Sequence, residues 1–282
     1  MRVILINPVL IKELKLRFRN AKSFVGVLFY LLAMSIFVFG FIYLQTAFSG
    51  NGFFRPADSI ILFMMISFIQ LGLILFITPG LTAGAISTER EKQTLNILLT
   101  TSQTSFQIIF GKLTSSVVFL LLLIIAGLPI YSLVFLYGGV SPGQVFMILM
   151  FDITTLLAFG SVGVMYSTVT RRTIVSMIST YGTMVFFAGM TAFFLLLSLQ
   201  FNNAAGLYPE NTVSPLSYFL GAINPVIVLL SLLEPQTLEE VYGLTGIRFP
   251  LWVTYVIFYS LLTAAALLVA VKTLRVNMHR YK

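Results

Sequence analysis

Residues 113–151 read LTSSVVFLLLLIIAGLPIYSLVFLYGGVSPGQVFMILMF and contain no Asp, Glu, Lys, Arg or His. A helix that crosses a lipid bilayer needs roughly 20 predominantly apolar residues. This stretch is too long for a single crossing, and its middle carries the turn signal GGVSPG at residues 138–143. We therefore predict two membrane-spanning helices here, over residues 113–136 and 145–169.

Four more stretches without charge lie on either side of this one, and each is long enough to cross a bilayer. They predict further spans over residues 24–48, 59–86, 174–199 and 250–271. The whole chain is 58% hydrophobic and 9% charged, whereas soluble domains average about 45–50% and about 25%. The composition excludes a single soluble globular domain and predicts an all-α polytopic membrane protein, with one transmembrane domain over residues 1–282.

Two other segments differ from the spans. Residues 1–22 include NPVLIKELKLRFRNAK, in which basic and apolar side chains alternate, and this pattern predicts an amphipathic helix lying at the membrane surface. Residues 201–249 contain an apolar insert, residues 218–233, that is interrupted by Asn224-Pro225. At about 1.5 Å per residue the insert reaches about 24 Å, short of a hydrocarbon core of roughly 30 Å. We predict a re-entrant helical hairpin that dips into one leaflet.

The distribution of Lys and Arg orients these spans. With six spans and both termini on one side, 15 of the 17 basic residues fall on that side, and only Arg55 and Arg248 fall on the other. Because basic loops stay in the cytoplasm, both termini are predicted to be cytoplasmic. The net charge of +8 is then explained by membrane orientation, so the lipid bilayer, and no nucleic acid, is the predicted partner of the basic residues.

The cytoplasmic loop between spans 2 and 3 is the most informative segment. Residues 85–112 read AISTEREKQTLNILLTTSQTSFQIIFGK, and Thr88 with Glu91 has the spacing of a capping box. Leu95, Leu98 and Leu99 fall on one face of a helix that begins there. The pattern predicts an amphipathic helix over residues 88–101, facing the membrane or a partner protein, and an ordinary surface connector is the alternative interpretation.

The chain resembles the permease subunits of type-2 ABC exporters. The strings STEREKQTL at residues 87–95, LLTT at 98–101 and GK at 111–112 are similar to the signature loop of that family. The opening NPVLIKELKLRFRN resembles the family's N-terminal elbow helix, and the six spans with an outer segment between spans 5 and 6 agree with its topology. Two positions depart from the common pattern, Gln93 where Gly is frequent and Ser102 where Pro is frequent.

The resemblance implies that the loop is a coupling helix that docks on a cytoplasmic ABC ATP-binding subunit, together with the elbow. It implies two permease chains, identical or related, around one translocation pathway for ATP-driven export. It also implies the plasma (inner) membrane of a prokaryote. The residues implied to bind the partner subunit are Lys12, Glu13, Glu89, Arg90, Glu91, Lys92, Thr94, Leu95, Leu98 and Leu99.

We expect no enzymatic activity of the chain itself. A phosphate-binding loop requires G-x-x-x-x-G-K-[ST], and the one Gly-Lys pair, Gly111-Lys112, is followed by Leu113 and lacks the first glycine. ATP and Mg²⁺ are therefore expected in the partner subunit, with no cofactor bound here. The chain has no Cys and only one His, so a metal site is not predicted.

Asp152 is the only acidic residue inside a predicted span. An intramembrane carboxylate is costly unless paired or hydrated, which makes a functional role the first hypothesis. With Thr155 it is a candidate contact for substrate or protons in the pathway, or else it holds helices together by hydrogen bonds. Two other functions stay open: a channel or secondary transporter that uses Asp152, and a membrane anchor that moves no solute. The substrate class also stays open.

Overall fold

The protein is described by a computed structural model that covers residues 8–19, 21–48, 56–95, 103–137, 139–204 and 214–279. Throughout these residues the secondary structure is helical, with no strand. Within the described ranges, six helices are long and apolar enough to cross a membrane. The chain is therefore a multi-pass membrane protein, as its uncharged stretches predict.

The described helices are numbered along the chain. The membrane-spanning ones are α2 (span 1), α3 (span 2), α5 (span 3), α6 (span 4), α7 with α8 (span 5), and α12 (span 6). Their bounds are α1 Pro8–Arg19, α2 Ala21–Phe48, α3 Pro56–Thr82, α4 Ser87–Glu91, α5 Ser105–Tyr137, α6 Pro142–Val169, α7 Thr173–Val185, a π-helical turn Phe186–Met190, α8 Thr191–Ala204, α9 Pro215–Ile223, α10 Pro225–Leu233, α11 Pro235–Thr245 and α12 Leu251–His279.

Span 3 begins earlier than predicted, at Ser105 instead of residue 113. The local reason is a reciprocal cap: the Gln107 N–H donates to Thr104 Oγ1 (3.2 Å), and the Thr104 N–H donates to Gln107 Oε1 (3.0 Å). Lys112 consequently lies inside a helix and not in the loop before it. The extra segment reads SFQIIFGK, and the prediction began the span only after its one charged residue, Lys112.

The predicted continuous helix over residues 88–101 is wrong in its described part. Helix α4 ends at Glu91, and a turn follows in which Gln93 has φ 58°, a left-handed conformation that ends a helix. The predicted capping box is also absent, because the Thr88 N–H donates to Gly84 O and no side chain caps the helix. Helix α4 nearly continues span 2, so its first turn needs no such cap. Leu98 and Leu99 lie outside the described residues.

Span 4 is the centre of the bundle. It packs against spans 2, 3, 5 and 6. Of the six spans, it has the largest share of buried residues. Glycine permits the closest of these approaches, because a Cβ on Gly163 would collide with Thr82 Oγ1 of span 2. Spans 2 and 4 therefore run in contact to the end of span 2, where α4 lies beside the connection between spans 4 and 5.

Candidate functional site

Helix α4 is attached to the end of span 4 through a serine. The backbone N–H groups of Ile86 and Ser87 both donate to Ser167 Oγ, at 2.8 and 2.9 Å. N–H groups at the start of a helix lack intrahelical acceptors. Ser167 satisfies them from a neighbouring helix, which explains why α4 needs no capping residue of its own.

Arg90 binds the carboxyl end of span 4. Its guanidinium donates to Thr170 O at 2.6 Å and to Thr168 O at 2.9 Å. Carbonyl groups in the last turn of a helix lack intrahelical partners and carry the negative end of the helix dipole. A cation at this position both satisfies those carbonyls and complements the dipole.

Glu91 binds the amino end of span 5, which begins at Thr173, shortly after span 4 ends at Val169. Its carboxylate accepts from the Thr173 N–H at 2.7 Å and from Thr173 Oγ1 at 3.0 Å. An anion at the start of a helix is favoured by the same dipole that favours a cation at the end of one. The adjacent, opposite charges of Arg90 and Glu91 thus fit the two helix ends that meet at this turn.

Lys112 joins α4 to α1. Its Nζ donates to Glu89 Oε1 at 2.7 Å and to Glu13 Oε1 at 2.9 Å, and its side chain is only 6% exposed. A buried ammonium requires such partners. Lys112 therefore ties span 3 to both α1 and α4. We call this set of contacts the helix-end clip; its members are Glu13, Glu89, Arg90, Glu91, Lys112, Ser167 and Thr173.

The predicted partner-binding residues divide into two groups. Glu13, Glu89, Arg90 and Glu91 all make contacts inside the chain. Lys12, Lys92 and Thr94 are exposed, and so is Glu91 despite its contact with Thr173, whereas Leu95 is 7% exposed and packs into the core. The exposed residues are accessible to another protein without rearrangement, and binding of a partner remains a prediction for the whole set.

Lys112, Ser167 and Thr173 were not recognised as site residues from the sequence. A signal did exist for Lys112, since a lysine followed at once by an apolar run needs an acidic partner. Its partners are 23 and 99 residues away along the chain, and nothing in the sequence identifies them. Ser167 and Thr173 resemble many other hydroxyl residues of the spans, so no sequence signal distinguishes them.

A second polar network lies within the spans, around Asp152. Gln70 Nε2 of span 2 donates to Asp152 Oδ2 at 2.9 Å, and Tyr30 OH of span 1 donates to Gln70 Oε1 at 2.9 Å. Asp152 and Gln70 have no exposed surface. We call this chain of three residues the core network. It joins spans 1, 2 and 4, and Asp152 Oδ1 has no hydrogen-bond partner.

Thr155 joins span 4 to span 6. Its hydroxyl lies 2.7 Å from Tyr255 OH, and the Tyr255 ring packs against Phe151 and Tyr259. Both candidate pathway residues, Asp152 and Thr155, are fully buried between helices. This arrangement is that of residues that hold helices together in the present conformation. A pathway role for either residue requires a different conformation and remains a hypothesis.

A polar cavity of about 370 Å³ is lined in part by the helix-end clip. It is bounded by the end of span 2, by Lys112 of span 3, by Glu13 of α1 and by Met177 of span 5. No protein-family model matches the chain, and no curated protein matches it.

Proposed function

We propose that this chain is the membrane-spanning permease subunit of an ATP-driven ABC exporter. It forms the translocation pathway with a second permease chain, identical or related, and it is coupled to a separate ABC ATP-binding subunit that holds ATP and Mg²⁺. Both termini are cytoplasmic, and the membrane is the plasma (inner) membrane of a prokaryote. The proposal rests on the resemblance described above and on the geometry of the helix-end clip.

The observation that carries the proposal is that one short cytoplasmic segment is bonded to four other elements. Within residues 87–91, Glu89 reaches span 3 and, through Lys112, α1, while Arg90 reaches span 4 and Glu91 reaches span 5. Charge-assisted hydrogen bonds are short and directional. A displacement of this segment by a docked partner would be passed to all four elements at once, as coupling to an ATPase requires.

We assign different tasks to neighbouring residues according to their contacts and exposure. The charged residues Glu89, Arg90 and Glu91 transmit movement inside the chain. The exposed turn of Lys92, Gln93 and Thr94, together with Lys12 on α1, docks the ATP-binding subunit. Gln93 lies where the family commonly has Gly, and its φ of 58° is a conformation that Gly adopts at little cost.

Two further features of the proposal concern the membrane. Helix α1 exposes Ile11 and Leu16 as well as Lys12 and Lys15, a mixture suited to the lipid–water interface, where we place it as an elbow. Helices α9 and α10 meet at an angle of 87°. Each has nine residues, too few to cross a bilayer, and we place the pair as a re-entrant hairpin in the outer leaflet.

Affinity purification tests the docking assignment. The tagged chain in mild detergent is compared with Lys92→Glu, which reverses an exposed charge of the docking turn. The matched control is Glu239→Lys, which reverses an exposed charge at the opposite end of the molecule. Wild type and control are expected to retain a P-loop ATPase, identified by mass spectrometry and nucleotide binding, and Lys92→Glu is expected to lose most of it.

The Arg90→Ala variant separates transmission from docking. It removes the contacts with the Thr168 and Thr170 carbonyls but leaves the exposed turn intact, so the ATPase should still be retained. Its hydrolysis rate should no longer respond to the permease in reconstituted membranes. If well-folded wild-type protein retains no P-loop ATPase, the exporter proposal is wrong.

The second candidate function is a channel or secondary transporter that uses Asp152. It is favoured by one observation, the absence of a partner for the fully buried Asp152 Oδ1. Proteoliposomes that contain the chain alone test it: proton or cation flux without any ATPase, abolished by Asp152→Asn, would support this candidate. If the chain binds an ATPase but the complex moves no solute, it is a membrane anchor instead.

A further inference from the structure

Span 5 is interrupted near its middle by the π-helical turn Phe186–Met190. There the Thr191 N–H donates to Phe186 O, five residues back, instead of to Phe187 O as in an α-helix. Phe187 O accepts from Thr191 Oγ1 instead, at 2.6 Å. The Thr191 hydroxyl thus donates to Phe187 O, the carbonyl to which the Thr191 N–H would donate in an α-helix.

Asn224 lies at the bend between α9 and α10 and contacts this turn. Its Nδ2 donates to Ala188 O at 2.9 Å and to Thr191 Oγ1 at 2.8 Å. Its Oδ1 accepts from the N–H groups of Val226 and Ile227, at 2.8 and 3.0 Å, and so caps α10. Both hydrogens and both lone pairs of this fully buried amide are used.

The other side of the bend is also held. Tyr259 OH of span 6 donates to Ile223 O, the carbonyl just before Asn224, at 2.9 Å. Pro225 follows Asn224 and has no N–H to continue the preceding helix. The tip of the hairpin α9–α10 is therefore joined to span 6 through one backbone carbonyl and to the π-helical turn of span 5 through one side chain.

We infer that Asn224 is a latch that holds span 5 in its π-helical form and makes the outer half of span 5, α8, move together with the hairpin. If the π-helical turn reverts to α-helix, the Thr191 N–H donates to Phe187 O and displaces the Thr191 hydroxyl from that carbonyl. Ala188 O and Thr191 Oγ1 then no longer lie where Asn224 Nδ2 can bind both of them. Because each residue of an α-helix turns by about 100°, reversion rotates α8 by that angle relative to α7. The joint has two discrete positions.

The role of this joint as an outer gate rests on the proposed function; the latch itself does not. In an exporter, movement that enters span 5 at Thr173 through Glu91 would reach the π-helical turn along α7. There it would favour one position of the joint and so move the hairpin at the outer face. A cytoplasmic event would in this way be converted into an outer conformational change.

A spin-label distance tests the latch. The chain has no Cys, so Cys introduced at Phe201 on α8 and at Ile257 on span 6, both exposed, are unique labelling sites. Asn224→Asp keeps an oxygen to cap α10 but has no N–H to donate, and Asn224→Ala removes both functions. The control Thr263→Val removes a hydroxyl of span 6 that bonds within its own helix.

The labelled wild type and the control should give one narrow distance distribution. Both Asn224 variants should add a second population at a distance several ångströms different, because α8 rotates. Should both variants fold and keep the single wild-type distance, the sequence of span 5 alone sets the π-helical turn, and the latch is overturned. If they do not fold, Thr191→Val replaces them: a second population supports the latch, and an unchanged distance overturns it.

The measurement uses the chain without an ATPase, so failure of the proposed exporter function does not affect its outcome. With the ATPase bound, addition of ATP should shift the wild-type population towards the second distance. If ATP leaves the distance unchanged while the Asn224 variants alter it, the latch is supported and the gate is overturned.

Discussion

The helix-end clip and the core network both join several helices, but they use different chemistry. The clip uses Arg90 and Glu91 at two helix ends, and Lys112 between two acids, Glu13 and Glu89. The core network uses a tyrosine, a glutamine and a single aspartate. Glu13 and Glu89 retain 28% and 26% exposure, whereas Asp152 and Gln70 have none.

This difference follows the availability of water. Glu13 and Glu89 stay partly exposed while they bind Lys112. Less desolvation of the charges opposes such ionic contacts than in a dry interior, and the contacts are directional. Within the hydrocarbon region an unpaired charge is costly, and neutral amide and hydroxyl groups are the economical way to connect helices. Asp152 is the exception in the core, which is why it remains the residue of interest there.

The largest expected effect is that of Lys112→Met. The change leaves Glu13 and Glu89 together without a cation, and we expect a loss of about 3 kcal/mol in the free energy of unfolding, the low end for buried pairs because the acids keep some water. Thermal unfolding in detergent measures it. The triple variant Lys112→Met, Glu13→Gln, Glu89→Gln should recover much of the loss, and a failure to recover would show that the lysine acts by packing instead.

A smaller effect is expected from Gln70→Leu in the core network. The change leaves Tyr30 OH and Asp152 Oδ2 buried without their partner, and the expected loss is about 1–2 kcal/mol. Tyr30→Phe breaks only the hydrogen bond from Tyr30 OH to Gln70 Oε1 and should lower the free energy of unfolding by less. The same unfolding assay ranks the variants, and an equal loss for both would mean that the Gln70–Asp152 bond contributes nothing.

Salt should separate the two regions. Raising the ionic strength from about 0.05 M to about 0.5 M screens exposed charges strongly and partly buried pairs much less. Because Glu13 and Glu89 keep 28% and 26% exposure but Lys112 only 6%, the stability difference between wild type and Lys112→Met should shrink slightly, while the difference for Gln70→Leu, which is fully buried, stays constant. The comparison would break down if both differences responded to salt equally.

The smallest effect concerns the turn after α4. Gln93 has φ 58°, which costs a residue with a Cβ about 1 kcal/mol relative to glycine. Gln93→Gly should therefore raise the stability by up to about that amount. Thr94→Gly, at a neighbouring position without positive φ, should give no gain, and an equal gain at both positions would contradict the conformational explanation.

The spans were predictable because their signal is local. A long run without charge must be helical in a bilayer, whatever surrounds it, and the six predicted spans correspond to six helices. The break of the outer insert at Asn224-Pro225 was also predictable, since proline cannot continue a helix. The helix over residues 88–101 was mispredicted in its described part because the chain turns after α4, where Gln93 has φ 58° and the Thr94 N–H donates to Glu89 O.

For the candidate site, the sequence identified the charged segment but not the task of each charge. Periodicity indicates which residues share a face of a helix, but not whether that face meets water, lipid, another span or a partner. Glu89, Arg90 and Glu91 were assigned to a partner protein, yet they bind Lys112, the span 4 carbonyls and Thr173. That outcome depends on which helix ends become neighbours.

The sequence by itself determined that this is a multi-pass helical membrane protein, together with the approximate positions of its spans and of the bend at Asn224. These properties depend on transfer of apolar residues into lipid and on backbone hydrogen bonding within a segment. Only the tertiary structure decided that Lys112 pairs with Glu13 and Glu89, that Gln70 meets Asp152, and that Asn224 binds the π-helical turn. These pairings join residues 23 to 99 positions apart, and only the packing of the helices brings such atoms within hydrogen-bonding distance.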